Sequence, residues 1–253
     1  MYDLKKLPVK PAGFGKCRVC PYYETGPAAL CFACARQSMQ PLSKSRCNTC
    51  DRPYAPNENQ CQNFICQWEY GRYFLWNFAI AMKSGFLEYA IRQYKFQDQK
   101  YWAIVFARVL VGFLEGKSNM FEPFDLIVGS PTWLGDGGRT WDHIRLVLEK
   151  AKEESGGKWP FDVGYPRPAI IRTAATPSMT GKNWQQRHAI AKNQLRNALA
   201  IPDRQRTHGK NVLVFDDVFT NGHTLKEIAR CLIRDGGAND VCGITLARAP
   251  WRG

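Results

Sequence analysis

The 253-residue sequence has no long uninterrupted run of apolar residues. A membrane-spanning helix needs about 18 of them, and the longest apolar run, residues 73–82, is interrupted by Asn77. The first residues, MYDLKKLPVKP, also lack the apolar core of a signal peptide. These absences disfavour a membrane-spanning or secreted protein, and we expect no membrane span and a cytoplasmic location.

Acidic residues are few: 22 stand against 35 lysines and arginines, which gives a net charge of +13. The hydrophobic content of 45% is that of an ordinary globular protein and excludes a disordered chain. Together with eight Trp, ten Tyr and fourteen Phe, the excess of positive charge favours a polyanionic partner. That partner would be a nucleic acid or a multiply phosphorylated ligand; general solubility is the alternative.

Cysteine is scarce after residue 66, because eight of the ten cysteines lie between residues 17 and 66. They form two copies of one pattern, C-x2-C, ten residues, then C-x2-C or C-x4-C: Cys17, Cys20, Cys31 and Cys34, then Cys47, Cys50, Cys61 and Cys66. A C-x2-C turn brings two thiolates to one side of a metal, and four thiolates complete a closed structural zinc site. Disulfides are the alternative, which a reducing cytoplasm disfavours.

The repeat predicts one zinc ion for each copy, two in total, in a zinc ribbon that spans residues 1–70. An interleaved pairing of the cysteines remains open. Such a small segment has little core, so the metal would supply much of its folding free energy. Basic residues among the cysteines either contact phosphates or only solvate the surface. We expect Cys231 and Cys242 to be core residues.

The remainder, residues 71–253, alternates predicted strands and helices. Apolar runs predict strands at 74–82, 125–130, 211–218 and 241–248, and helical periodicity predicts helices at 85–96, 99–114, 140–154, 183–200 and 224–235. This alternation indicates an α/β domain with a mainly parallel sheet flanked by helices. Its ligand is expected at the carboxyl ends of the strands.

Residues 212–224, VLVFDDVFTNGHT, combine a buried-type strand with a small polar loop. Asp216 and Asp217 are expected where the strand ends, and two carboxylates there suit ribose hydroxyls or a magnesium ion. Gly222 is free to take a positive φ, and the helix expected from Thr224 onward would favour a phosphate at its N-terminus. The alternative is an ordinary turn in which Thr224 caps the helix.

The strand, the two aspartates, two apolar residues and T-N-G-x-T together resemble the phosphoribosyl pyrophosphate (PRPP) motif of type I phosphoribosyltransferases. The resemblance implies that Asp216 and Asp217 hold the ribose hydroxyls, directly or through magnesium. It also implies that the following loop, Thr220, Asn221, Gly222, His223 and Thr224, surrounds the 5′-phosphate. Phe219 and Asn221 depart from the usual motif, which has a smaller aliphatic residue and a small hydroxyl residue or Ala there.

The cysteine-paired ribbon followed by a PRPP-type domain resembles the ComF/GntX family of competence-associated proteins over essentially the whole chain. Three further segments are similar to family elements: 94–96 to L-K-Y, 138–142 to R-G-F-N, and Thr176-Pro177 with Arg187 and 195–198 to T-P…R…N-L-R-G-A-F. The resemblance implies that Lys95 and Arg139 meet the pyrophosphate, although Trp141-Asp142 replaces Phe-Asn. Solvated basic side chains are the alternative.

Three functions remain open. The family resemblance implies a PRPP-binding protein of DNA uptake that binds single-stranded DNA and works with competence or recombination proteins. A second possibility is an active phosphoribosyltransferase, in which Asp216, Asp217, Lys95 and Arg139 act by positioning and charge stabilisation on an unidentified base or amine. The third is a zinc-ribbon adaptor.

Two further segments bear on these functions. The basic stretch 182–210 includes Trp184 and would suit a phosphate backbone with base stacking, unless it is only a solvated helix face. The glycine-rich segment 129–138 either covers pyrophosphate or is a connection.

Overall fold

The computed structural model describes residues 32–67, 71–164, 167–179 and 181–250. The predicted first zinc site lies outside this description, because Cys17, Cys20 and Cys31 precede residue 32 and the side chain of Cys34 is not described. That site, and the total of two zinc ions, stay predictions. The division into 1–70 and 71–253 also stays a prediction.

The described residues form the following helices and strands, in chain order. They are α1 (Phe32–Gln37), α2 (Phe64–Gln67), β1 (Asn77–Met82), α3 (Gly85–Phe96), α4 (Trp102–Glu115), α5 (Ser118–Phe121), β2 (Leu126–Gly129), α6 (His143–Glu154), β3 (Ile171–Arg172), α7 (Trp184–Ile190), β4 (Leu199–Ala200), β5 (Val212–Phe219), α8 (His223–Arg234) and β6 (Val241–Arg248).

Four strands form a parallel sheet in the order β1-β6-β5-β2. The outer edge of β1 is covered by the cysteine segment, residues 46–66. Asn77 N donates to Thr49 O at 2.8 Å, and Ala79 N donates to an Asp51 carboxylate oxygen at 2.7 Å. Covered edges do not recruit further strands. The predicted mainly parallel sheet with flanking helices is confirmed, and β5, with the two aspartates, is one of its two central strands.

Alternate residues of β5 pack on opposite faces of the sheet, as the twofold period of a strand requires. Leu213 and Phe215 belong to the core shared with α3, α4 and α6. Val212 and Val214 belong to the core that includes α8 and the cysteine segment. The cysteine segment therefore packs into the hydrophobic core on the α8 side of the sheet.

The predicted helix 183–200 is confirmed as a helical segment over 184–198, but its hydrogen bonding changes along its length and its last two predicted residues are extended. Helix α7 ends at Ile190, a π-helical turn covers Ala191–Leu195 and a 3-10 turn covers Arg196–Ala198. The chain then becomes extended because β4 pairs antiparallel with β3, with Leu199 opposite Arg172. Among the described residues, no helix combines the length and apolar character required to cross a bilayer.

Candidate functional site

The two aspartates lie inside β5 rather than at its end, because the strand continues through Phe219. The contacts of their side chains place them on opposite faces of the sheet. Asp217 continues the face of Leu213 and Phe215, and Asp216 continues the face of Val212 and Val214. Both nevertheless line one cleft of about 1480 Å³ above the carboxyl edge of the sheet.

Asp217 is 5% exposed and is neutralised from the α3 and α6 side. One carboxylate oxygen accepts a 2.6 Å hydrogen bond from Lys95 Nζ and lies 3.7 Å from His143 Nε2. Burial alone would raise the pKa of Asp217, but the Lys95 ammonium and the His143 contact hold it well below its ordinary value. This environment favours the ionised form of Asp217.

Asp216 is half-buried, and no cation among the described residues forms an ion pair with it. Burial, and then the charge of Asp217, raise the pKa of Asp216 to about 7. It stands opposite Thr245 in the β5–β6 register. Asp216 is therefore a carboxylate that a cation or a pair of hydroxyls entering the cleft would help to ionise.

The loop after β5 has the backbone that the sequence predicts. Gly222 has a φ of 87° and is the residue before α8, which starts at His223, one residue earlier than expected. No side chain caps this helix, and the Thr224 hydroxyl instead lies 3.6 Å from Met179 Sδ. The alternative of a Thr224 cap is therefore wrong. The first N–H groups of any helix lack intrahelical partners, so those of α8 suit an anion.

The five loop residues divide between two cavities. Thr220, Asn221 and Thr224 line the cleft. Gly222 and His223 line a smaller adjoining cavity, which Asp216, Thr220 and Thr224 also border. The His223 ring is buried, and its pKa is lowered to about 4 by burial and by nearby positive groups. His223 therefore offers a backbone N–H to an anion rather than a charged ring.

Lys95 and Arg139 both line the cleft, as expected. Arg139 Nη1 donates to Lys95 O at 2.8 Å, and its guanidinium lies 5.7 Å from the centre of the Phe96 ring. Lys95 lies in the last turn of α3, and this hydrogen bond holds Arg139 beside it. The solvated alternative is thus wrong for Lys95, which is paired with Asp217 in this structure.

Two lining residues escape sequence reasoning. Arg172 lines the cleft, hydrogen-bonds to the Thr176 hydroxyl and has a pKa lowered by burial. Its Nε is buried with no hydrogen-bond partner among the described residues. His143 reaches Asp217 because the Asp142 side chain caps α6 by accepting from Ile144 N and Arg145 N. The signal for His143 was its place directly after a capping residue.

Helix α7 brings aromatic and basic groups to the cleft. The Trp184 ring stacks on His188, with centroids 5.2 Å apart and planes 8° apart, and lies 5.0 Å from Phe64. Lys182 and Arg187 also line the cleft. Farther along the basic stretch, Arg196 and Arg206 are engaged by carboxylates, of Glu227 and Asp162. Of the basic residues in this stretch, Lys182 and Arg187 are the ones that line the cleft.

The second cysteine set forms a compact cluster. One ligand atom from each of the four residues lies within 4.8 Å of every other, and Cys50 Sγ and Cys61 Sγ are 3.7 Å apart. A tetrahedral zinc with bonds of about 2.3 Å needs sulfurs about 3.8 Å apart. Hydrogen bonds from the other three thiols hold the pKa of Cys47 well below its ordinary value. Cys47, Cys50, Cys61 and Cys66 could therefore hold a metal ion such as zinc.

A scan against protein-family models finds no match to the chain, and a search of curated proteins likewise finds none.

Proposed function

We propose that the chain binds PRPP with magnesium as a phosphoribosyltransferase-like protein of the ComF type. One observation carries the proposal: two carboxylates and a glycine-turned helix N-terminus share a cleft at the carboxyl edge of a parallel sheet. The carboxylates suit ribose hydroxyls or magnesium. The N–H groups at the start of α8 suit the 5′-phosphate.

A pyrophosphate would find cationic partners in the same cleft. Arg139 and Arg172 line it, and Lys95 is already paired with Asp217. Magnesium, held by Asp216 with PRPP oxygens, would supply charge neutralisation for the diphosphate. Lys95 then keeps Asp217 oriented as an acceptor instead of meeting the pyrophosphate directly.

Calorimetric titration with PRPP and magnesium tests this proposal. The wild-type chain should bind, and Asp216→Asn should weaken binding at least tenfold. Asp203→Asn, outside the cleft, is the matched control and should bind like wild type. Wild-type protein that is folded and does not bind PRPP would refute the proposal.

Phosphoribosyl transfer is a second candidate, favoured by the size of the cleft. The volume of about 1480 Å³ exceeds the usual 300–1,000 Å³ of a small-ligand pocket, so an acceptor fits beside PRPP. Trp133, Phe96 and Phe64 are aromatic lining residues against which a planar base would pack. Release of pyrophosphate with a panel of bases and amines tests this candidate, and no release with any acceptor would leave binding alone.

We also propose single-stranded DNA, with competence or recombination proteins, as the biological partner. Lys182, Arg187 and Trp184 support it, because a basic groove with an aromatic side chain suits a single strand. Since Arg196 and Arg206 are paired, the salt dependence should be modest, corresponding to about two or three phosphate contacts. A Lys182→Ala, Arg187→Ala variant that binds DNA as tightly as wild type would refute this interface.

A further inference from the structure

We propose that the four-cysteine centre acts as the external support of the 220–224 loop, with Asn63 and Arg248 as the positioning residues that connect the two. A metal in the centre would thereby set the affinity of the loop for a phosphate. This inference rests on the proposed function for its ligand, and on contacts within the chain for the coupling itself.

Asn63 forms the first connection, from between two of the metal-site cysteines. It is fully buried between Cys61 and Cys66, and its Nδ2 donates to Asn221 O at 3.3 Å. Its Oδ1 accepts from Ile65 N at 3.4 Å, so the same side chain is also tied to the turn that carries Cys66. Any shift of this turn is therefore passed to the loop backbone at Asn221.

Arg248 forms the second connection, at the end of β6. Its side chain is 1% exposed; Nε donates to Cys50 O at 2.8 Å and Nη1 donates to Phe219 O at 3.2 Å. Nη2 lies 3.9 Å from Cys50 Sγ, where it would face a thiolate. A single guanidinium thus joins a metal-site cysteine to the residue immediately before the loop.

Apolar packing closes the space between these two connections. Ile65 is 2% exposed, and its Cδ1 lies 3.4 Å from the point where a Cβ on Gly222 would stand. The Phe219 ring packs against this same Cβ position of Gly222, and the Arg248 guanidinium lies 5.2 Å from the centre of the Phe219 ring. The loop is therefore supported by contacts at Phe219, Asn221 and Gly222.

Metal binding at the four-cysteine centre and phosphate binding at the loop should therefore be coupled. A metal held by four clustered thiols contributes folding free energy to the segment that carries them, so this segment should lose order when the metal is removed. Loss of that order would release the side chains of Asn63 and Arg248, which hold Asn221 and Phe219. Every group expected to contact the phosphate would still be present. The loop should then lose affinity because it must be ordered when the ligand binds.

Hydrogen exchange of the full-length protein tests the coupling without any ligand. The Lys226 amide donates to Gly222 O at 2.9 Å and the Ala249 amide to Phe219 O at 2.9 Å, so both report on the loop. Asn63→Ala should raise their exchange rates about fivefold, as expected for loss of one hydrogen bond. Gln62→Ala is the matched control, because Gln62 is an exposed neighbour between the same cysteines.

A second readout is the affinity for PRPP with magnesium, measured on the same proteins at unchanged zinc content. Asn63→Ala should weaken binding about fivefold and Gln62→Ala should leave it unchanged. Arg248→Lys is the alternative variant if Asn63→Ala does not fold, since the shorter, unforked side chain cannot reach both carbonyls; it should also raise both exchange rates.

Metal removal from the wild-type protein provides the last arm. A chelator should speed exchange at residues 46–66 and at the Lys226 and Ala249 amides, while helix α4 remains protected. Zinc-loaded Asn63→Ala and Arg248→Lys with wild-type exchange, or a loop unaffected by chelation, would overturn the inference. If wild type fails to bind PRPP, the proposed function fails, and the exchange experiment still decides the coupling.

Discussion

Replacing Gly222 by alanine perturbs the loop in two separable ways. The φ of 87° is a left-handed conformation that side chains rarely adopt, and the new Cβ would stand 2.6 Å from Phe219 Cζ. The backbone penalty is roughly 1–2 kcal/mol, and overpacking against a ring typically costs about 1–3 kcal/mol. We therefore expect Gly222→Ala to lower the free energy of unfolding by about 2–5 kcal/mol.

Gly209→Ala is the matched control, because Gly209 has a φ of 71° and open space around its Cβ position. It should pay the backbone penalty alone, about 1–2 kcal/mol. Urea unfolding of both variants measures the difference, which isolates the clash with Phe219. Adding Phe219→Leu should remove most of that difference, as a double-mutant cycle would show.

The functional readout is the affinity for PRPP with magnesium, measured below the unfolding transition. Gly222→Ala should reduce it at least tenfold, since the loop must move off Phe219 and Ile65, whereas Gly209→Ala should not. Equal stability losses for the two variants, with no rescue by Phe219→Leu, would show that Gly222 is not packed as described and would refute the reasoning.

Three other predictions concern charge and metal. Burial and the charge of Asp217 raise the pKa of Asp216 to about 7. Between about pH 4 and 7, Asp216 is therefore protonated in the folded state and ionised in the unfolded state, so the free energy of unfolding should fall as the pH rises through that window. Asp216→Asn should flatten this dependence in urea unfolding at several pH values, and an unchanged pH profile would contradict it. Lys95→Met leaves the Asp217 carboxylate without its ammonium partner and should lower the free energy of unfolding, measured in urea, by about 2–4 kcal/mol. Adding Asp217→Asn should restore most of this loss. A double variant as unstable as Lys95→Met alone would argue against the ion pair. Metal analysis of Cys50→Ser should find one zinc ion fewer per chain, and the midpoint of thermal unfolding should fall. The control Cys242→Ser should retain the metal. Zinc retained in Cys50→Ser would contradict the site.

Local patterns predicted most of the fold. Helix α3 spans the predicted residues 85–96 and β6 the predicted 241–248, because apolar periodicity alone decides an amphipathic helix and a buried strand. The predicted positive φ of Gly222 is confirmed, since the turn requires it. The helix predicted at 183–200 ends two residues early, because Leu199 and Ala200 pair with β3, a tertiary interaction that periodicity does not record.

The candidate site was predictable where short motifs name its residues, and not in the contacts that join distant parts of the chain or at Arg172. Asp216, Asp217 and the loop are adjacent in sequence, so one motif reveals them. The Lys95–Asp217 ion pair joins residues 122 positions apart, and Arg172 enters the cleft from a two-residue strand. Contacts of this kind depend on how separate elements pack, which no local pattern records.

The two aspartates have unequal surroundings. Asp217 faces α3 and α6, where Lys95 forms an ion pair with it and His143 lies 3.7 Å away, whereas Asp216 faces the α8 side, where no cation among the described residues forms an ion pair with it. Two adjacent carboxylates at the end of a strand could have shared one environment and one proton. These surroundings instead favour the ionised form of Asp217 and leave Asp216 to gain most from a ligand that brings positive charge. Magnesium should therefore bind far more weakly without PRPP, since only the ligand's oxygens complete the set that Asp216 begins.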